Sequence, residues 1–562
     1  MRLLRMHILI LFPLIIAAGC QEKGPGTYTN PIIPGGFPDP SICRVGDTYY
    51  LANSSFIWYP GVPIHRSKDL VNWELISHAL NAPEHLDIND DTGVHGGVWA
   101  PTLRFHDELF YLTVTQKRCG TSILTTATDP AGPWSAPVTL HSENGIDGSL
   151  FFDDDRAWYC WSEDHLILLR EFDIREQKLI GDTILLLNEQ MFGDDYNNIE
   201  GPHIYKLDKN EYMLLIASGG TGSNNHNVSV FKSTSPVGPY TPCPDNPVLT
   251  HRGSASPFNN IGHADIVQTQ KGEWYAVTLG VRPLDGLTIM DRETFLVKFV
   301  WRNEWPVFNP DSGGIIVPED IRPDLPWNPV SQLPDTDHFN SHEPALVYNF
   351  YHTPHKQWWS LTDNPGYLRI YNQEARTTDQ TNIPVIARRI TQFDFDASTS
   401  VSFNPLSGET AGLVAMMNQR GQMRLELFGT GDQRFVRLAT YMEGPRTPLK
   451  TYTSDSIKVK DGPVVLRIEA RGLEYRFFAG SPDGSMSQVG EAVSGEVISR
   501  QRIGSYSGAY VGVFASSNGK ESRNFADFDF FRYSAKRPMQ DFRDPGEEEA
   551  QRSGKDGKEV TR

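Results

Sequence analysis

The stretch GDTYYLANS, residues 46–54, decides the fold, because it returns four more times in altered form. A short polar turn leads into a strand rich in aromatic residues. The same unit recurs as HDELFYLTV (106–114), DDRAWYCWS (154–162), KNEYMLLIAS (209–218) and KGEWYAVTL (271–279). Several units are trailed by a turn-rich link into a polar strand: SKDLVNWELI (67–76), ATDPAGPWSAPV (127–138) and STSPVGPYTPC (233–243). Helical periodicity is nearly absent between them. Repeats of ~40–50 residues built from short strands are the signature of a β-propeller with four strands per blade. Five units predict five blades over residues 30–317.

Outward from the repeats, residues 318–340 are proline-rich and read as a linker. Beyond it, over 341–535, alternating strands such as AGLVAMMNQ and VVLRIEARGLEYRFFAG, with turns such as NQRGQ and SPDGS, predict a two-sheet β-sandwich. The charged, apolar-poor end, residues 536–562, reads as disordered. At the other end, MRLLRMHILILFPLIIAAGC has two arginines, a short apolar run and small residues before Cys20. This is a secretory signal peptide over residues 1–19. A cysteine directly after the small residues resembles a bacterial lipobox, which implies lipidation at Cys20. Residues 20–29 then form a flexible tether, the membrane is reached by the lipid anchor only, and the location is the bacterial cell envelope, periplasmic or cell-surface. Cys43, Cys119, Cys160 and Cys243 show no pairing pattern and read as isolated buried thiols.

The 562 residues are 39% apolar and 11% aromatic, enough for sizeable cores. The formal net charge of −18 argues against nucleic acid as a partner and is compatible with a neutral polymer.

Ten to twelve residues before each aromatic centre stand Asp39, Ala100, Asp147, Glu200 and His263. These read as equivalent repeat positions at the start of each blade's first strand, which lines the central channel. Three carboxylates and a histidine therefore converge near the axis from distant segments. Such convergence is costly for folding and marks a site. Glu200, between Ile199 and the Gly201-Pro202 corner, is expected to have a raised pKa and to donate a proton. A more exposed carboxylate would activate water, the equipment of a glycosidase. Taken singly, Glu200 reads equally as an acid capping the corner, Asp39 as a turn residue and His263 as a core histidine. Their shared place in the repeat carries the argument.

The ordered motifs NPIIPGGFPDPSICRVGDTYYLANSSF, GGVWAPTL, GIDGSLFFDD, NIEGPHIYK, GHADIV and DRETF resemble glycoside hydrolase family 43, which contains β-xylosidases and α-L-arabinofuranosidases. The resemblance covers nearly all of the mature chain and implies a concanavalin-like jelly roll for the second half. It implies that Asp39 is the general base, Glu200 the general acid, and Asp147 the group that raises and orients the acid. Arg292 would contact the sugar, His263 would stand at the channel centre holding water or a cation, and Trp99 and Phe56 would form the pocket wall. The implied chemistry is inverting, with base and acid ~6.5–9.5 Å apart. The implied substrates are xylan, arabinoxylan, arabinan or xyloglucan fragments, cut from the end as single pentose units, with a lean to xylose. The segment GSYSGAYVG (504–512) is placed near the pocket rim. No cofactor is required. A structural cation such as calcium is an option near His263 or in the sandwich, although Asp527 and Asp529 there read first as strand-edge acids. Three departures stand out: Phe37 precedes Pro38 directly, Asp291 replaces a usual glycine before Arg292, and Gly148 stands where proline is common. The rival reading is a non-catalytic glycan-binding surface lipoprotein on the same fold.

Overall fold

The computed structural model describes residues 25–535, apart from 90–91, 117–120, 142–143, 192–196 and 332. The signal peptide, Cys20, Cys119 and the 536–562 tail lie outside the described residues.

Each turn-plus-aromatic unit forms the hairpin at the heart of one antiparallel blade. Blade 1 runs Ser41–Val45, Thr48–Ala52, Gly61–Ser67 and Glu74–Leu80. Blade 2 runs Val98–His106, Leu109–Gln116, Thr121–Ala127 and Val138–His141. Blade 3 runs Ile146–Asp153, Arg156–Glu163, Leu166–Asp173 and Lys178–Asn188. Blade 4 runs Glu200–Asp208, Glu211–Ser218 and Asn227–Ser233, with two short outer strands. Blade 5 runs Asn259–Gln268, Trp274–Val281, Arg292–Arg302 and Trp305–Phe308. The aromatic strand is second in each blade, with a neighbouring blade over either face. That is why it is apolar almost throughout: Leu214, Leu215 and Ile216 are all fully buried.

The first strands carry a common irregularity. In blades 2 to 5 their pairing with the second strand slips between Trp99 and Thr102, Ile146 and Ser149, Glu200 and His203, and Gly262 and Ala264. Ala100, Asp147, Gly201 and His263 occupy these bulges in left-handed conformation, with φ of 35°, 56°, 59° and 50°. Asp39, at φ 52°, takes the same place just before blade 1. A bulge re-aims the side chain it carries, and Ala100, Asp147 and His263, together with Asp39, line the pocket at the axis. This corrects one expectation. The residue equivalent to Asp39 in blade 4 is Gly201, and Glu200 stands one position earlier on its strand.

The segments read as tether and linker are partly strand. Thr27–Thr29 pairs with Glu319–Ile321. The buried Asn30 side chain bridges both the N–H and the C=O of Leu296, and its own N–H donates to Pro318 O. Tyr28 is buried and donates to Leu296 O at 2.9 Å. These contacts lay the N-terminal segment across blade 5. Three-residue strands have no periodicity to read, and their partners lie nearly 300 residues away. Thr336–Asp337, also inside the presumed linker, already pairs with Phe531 and Arg532 of the sandwich.

The second half is a sandwich of two antiparallel sheets. One of them ends in the order Tyr510–Ser516, Val385–Arg389, Asn349–Tyr351 and then Trp58–Tyr59, a two-residue strand contributed by the propeller. Trp58 stacks on Tyr510 at 3.7 Å, and a single hydrophobic core runs through both domains at this seam.

Candidate active site

Asp39, Asp147, Glu200, Arg292, His263, Trp99 and Phe56 all line one pocket of about 330 Å³ at the propeller axis. A separate cavity of about 510 Å³ beside residues 333–348 of the sandwich contains none of them.

Asp39 is buried and held from two sides. Arg292 Nη1 donates to its Oδ1 at 2.8 Å and Ser54 Oγ to its Oδ2 at 2.6 Å. Ser54 in turn accepts from the N–H of Ala100, tying the first blade to the second. Arg292 pairs with neither of its acidic neighbours, because Glu293 pairs with Arg282 and Asp291 with Arg500. Its guanidinium faces the rings of Phe56 and Tyr506 at 5.2 and 5.3 Å. Trp99 leans against Phe56 with ring centroids 6.0 Å apart.

On the other side, the Gly201 N–H donates to Asp147 Oδ2 at 3.1 Å, and His263 Nδ1 lies 3.9 Å from the same oxygen. A Cβ on Gly201 would come within 3.1 Å of the His263 ring. The bare glycine therefore makes the room in which that imidazole sits. Gly148, one of the three departures, has a similar cause: a Cβ there would fall on the Tyr159 hydroxyl, at 1.8 Å.

The electrostatics reverse one expectation. Burial pushes the Asp147 carboxyl up to about 7; His263 opposes this, and the charges of Glu200 and Asp39 add to it. Glu200 lies below its ordinary value. Burial raises it, but His226 and then His263 pull it down harder. The two carboxyls are displaced in opposite directions, Asp147 upward and Glu200 downward. The reason is His226, whose Nε2 is 3.6 Å from Glu200 Oε1. It is wholly buried, its Nδ1 faces Asn260 O at 3.1 Å, and it packs against the Cα of Gly262. Sequence reading missed His226 because it stands just before the third strand, outside the repeat position that flagged the others. It also missed Ser54, and Thr221, which lines the pocket and accepts from Arg292 Nη1 at 3.3 Å. It named the segment containing Tyr506 without singling that residue out.

Glu200 differs from Asp147 in exposure, at 21% against 7% of the side chain. Together with Ile146 and Asn198 it also lines an adjoining polar cavity of about 330 Å³ that contains Asn144, Glu163 and His165. Glu200 thus stands where the pocket opens into a second space.

Further along the channel, Asp265 accepts from Ser41, Arg104 and Tyr205. Burial raises its carboxyl, but the charge of Arg104, with the hydrogen bonds from Arg104 and Tyr205, outweighs that and holds it well below the carboxylate range. Burial drives His203 down to about 3, so it is neutral beside the Arg104 guanidinium, 2.9 Å away. This cluster bonds the first strands of blades 1, 2, 4 and 5 to one another. Among the described residues no group of three or more His, Cys, Asp or Glu is placed to hold a metal ion. In the sandwich, Asp527 is paired with Arg369 through both oxygens.

Comparison with known proteins places the chain in a family. Glycosyl hydrolases family 43 matches residues 28–306, and the beta xylosidase C-terminal concanavalin A-like domain matches residues 336–534. A non-reducing end alpha-L-arabinofuranosidase of Bacteroides ovatus is 36% identical over 518 residues, 90% of this chain and 94% of that relative. A xylosidase/arabinosidase of Butyrivibrio fibrisolvens is 34% identical over 89% of this chain and 98% of its own. The crystal structure of a xylan beta-1,4-xylosidase from Bacillus halodurans superposes with a TM-score of 0.84 at 32% identity, covering 90% of this chain and all of that one.

Proposed function

The chain belongs to glycoside hydrolase family 43, and we propose that it is an exo-acting, inverting pentosidase that removes terminal β-D-xylosyl or α-L-arabinofuranosyl units from plant-polysaccharide fragments. The observation that carries this reading is the division of labour between the carboxyls. Asp39, matched by Arg292, is placed to take a proton from water. Glu200, at the seam between two cavities, is placed to give one to the departing oxygen. Asp147 holds a proton beside it up to about 7. The Arg104 cluster, bonded across four blades, supports a channel closed behind the sugar and with it release of one unit at a time. The lean to xylosides rests on the C-terminal domain, whose family is that of β-xylosidases. The chain is delivered to the cell envelope and anchored through Cys20, which the mass of the mature N-terminus tests.

Initial rates on aryl β-D-xylopyranoside and α-L-arabinofuranoside, with Glu200→Gln alongside, test the activity and rank the sugars. The anomer released first, read by NMR, tests inversion. Leaving-group dependence separates the two acids. Glu200→Gln is expected to lose rate on poor leaving groups and retain it on a dinitrophenyl glycoside. If Asp147→Asn shows that pattern instead, Asp147 is the proton donor.

A further inference from the structure

Asp291 immediately precedes the pocket residue Arg292 and is wholly buried. Its backbone is left-handed, at φ 57°, which strains a residue with a Cβ. Its Oδ1 accepts from Arg500 Nη1 at 2.8 Å, while its Oδ2 is buried with no hydrogen-bond partner among the described residues. Arg500 belongs to the sandwich and opens the single helical turn Arg500–Ile503. Its backbone N–H donates to Thr288 O at 3.0 Å, so it grips the segment before Arg292 twice. Its guanidinium also lies 4.8 Å from the centre of the Tyr506 ring. Tyr506 stacks on Phe56 at 6.2 Å and faces Arg292. Arg500 therefore touches the neighbours of Arg292 without itself lining the pocket.

We propose that the Asp291–Arg500 ion pair is a latch through which the sandwich domain sets Tyr506 and Arg292 against the sugar ring, making Arg500 a positioning residue for substrate. A strained, incompletely satisfied buried acid is a poor way to hold two domains together. The domains are joined independently by Arg389 on Gly36 O, Arg282 on Thr391 O, and the Trp58–Tyr510 stack. The pair is therefore best explained by what it does to the pocket. The proposal rests on the pentosidase reading for its substrate.

Two readouts test it, one without substrate. In Arg500→Met, hydrogen exchange of the 504–509 backbone is expected to accelerate while the melting profile keeps its shape. In kinetics on the aryl pentosides, the same change is expected to raise KM roughly tenfold with kcat nearly unchanged, and to have little further effect in a Tyr506→Ala background. Asp291→Asn, which keeps shape and removes charge, serves if Arg500→Met does not fold. Unchanged exchange overturns the latch. So does faster exchange with KM effects that simply multiply in the double variant, since Tyr506 is then not the intermediary. A wild-type chain inactive on both glycosides counts against the pentosidase reading, and exchange alone then decides the latch.

Discussion

A carboxyl buried at the propeller axis holds its proton only at the expense of the fold. In the unfolded chain Asp147 titrates near ~3.9; in the folded pocket burial moves it to about 7. Between those values the folded state keeps a proton that the unfolded state releases, so stability falls as pH rises through the window. The deficit is absent below the lower value and complete above the upper one, at about 1.4 kcal/mol per unit of displacement. Asparagine at 147 can still accept from the Gly201 N–H but cannot ionise. Asp147→Asn is therefore expected to be more stable than wild type, by a larger margin at pH 8 than at pH 5, while losing most of its activity. Urea unfolding at the two pH values checks this, and an equal margin at both contradicts the charge argument. The same group is expected to give the wild-type enzyme an alkaline limb in kcat/KM near 7, which a pH–rate profile on the aryl glycosides checks. That Asp147 belonged to the site was legible from its repeat position. That its carboxyl is raised while that of Glu200 is lowered was not, because His226, which lowers Glu200, lies outside the repeat.

At the scale of the element, the site depends on one bulge repeated around the ring. The five segments were legible because polar turns and aromatic strands recur at a steady spacing. The offset of Glu200 was not, because a bulge adds a residue to one strand without changing the local pattern. What distinguishes blade 4 is that its bulge holds Gly201, which leaves the axis to the His263 ring. Gly201→Ala would bring a methyl within 3.1 Å of that ring on a backbone at φ 59°. Gly46, at φ 62° with nothing within 4 Å, separates the two effects. Both alanine variants should lose about 1–2 kcal/mol from the left-handed backbone. Only Gly201→Ala should also lose catalysis, by less than the roughly 10²-fold that a ~1 Å misplacement costs, since the imidazole needs to give way by only a few tenths of an ångström. Equal activity in the two variants would show that the His263 position is not critical.

At the scale of the whole molecule, the sequence suggests two domains joined by a linker, and the folded chain behaves as one body. The seam could not be read because its strands are two or three residues long and pair across hundreds of residues: Trp58–Tyr59 with Phe350 and Tyr351. Trp58, Tyr59, Ile289 and Met290 of the propeller belong to the same core as Tyr351, Tyr510 and the sandwich strands. Exposing side chains of this kind costs about 1.5–3 kcal/mol each. Four together approach the ~5–15 kcal/mol that holds a typical domain folded. Losing the sandwich would also uncover Phe37, over which Arg389 sits at 4.2 Å, and would remove Tyr506 from the pocket. Neither half can then unfold without taking most of the other's stability with it. Heating or denaturant should produce a single transition, with near-UV and far-UV signals coincident and calorimetric and van't Hoff enthalpies equal. A chain cut at residue 317 should be aggregated and inactive, not merely weakened. Two separated transitions, or an active propeller fragment, would mean that the shared core contributes far less than its burial implies, and that the sandwich is a scaffold the pocket can do without.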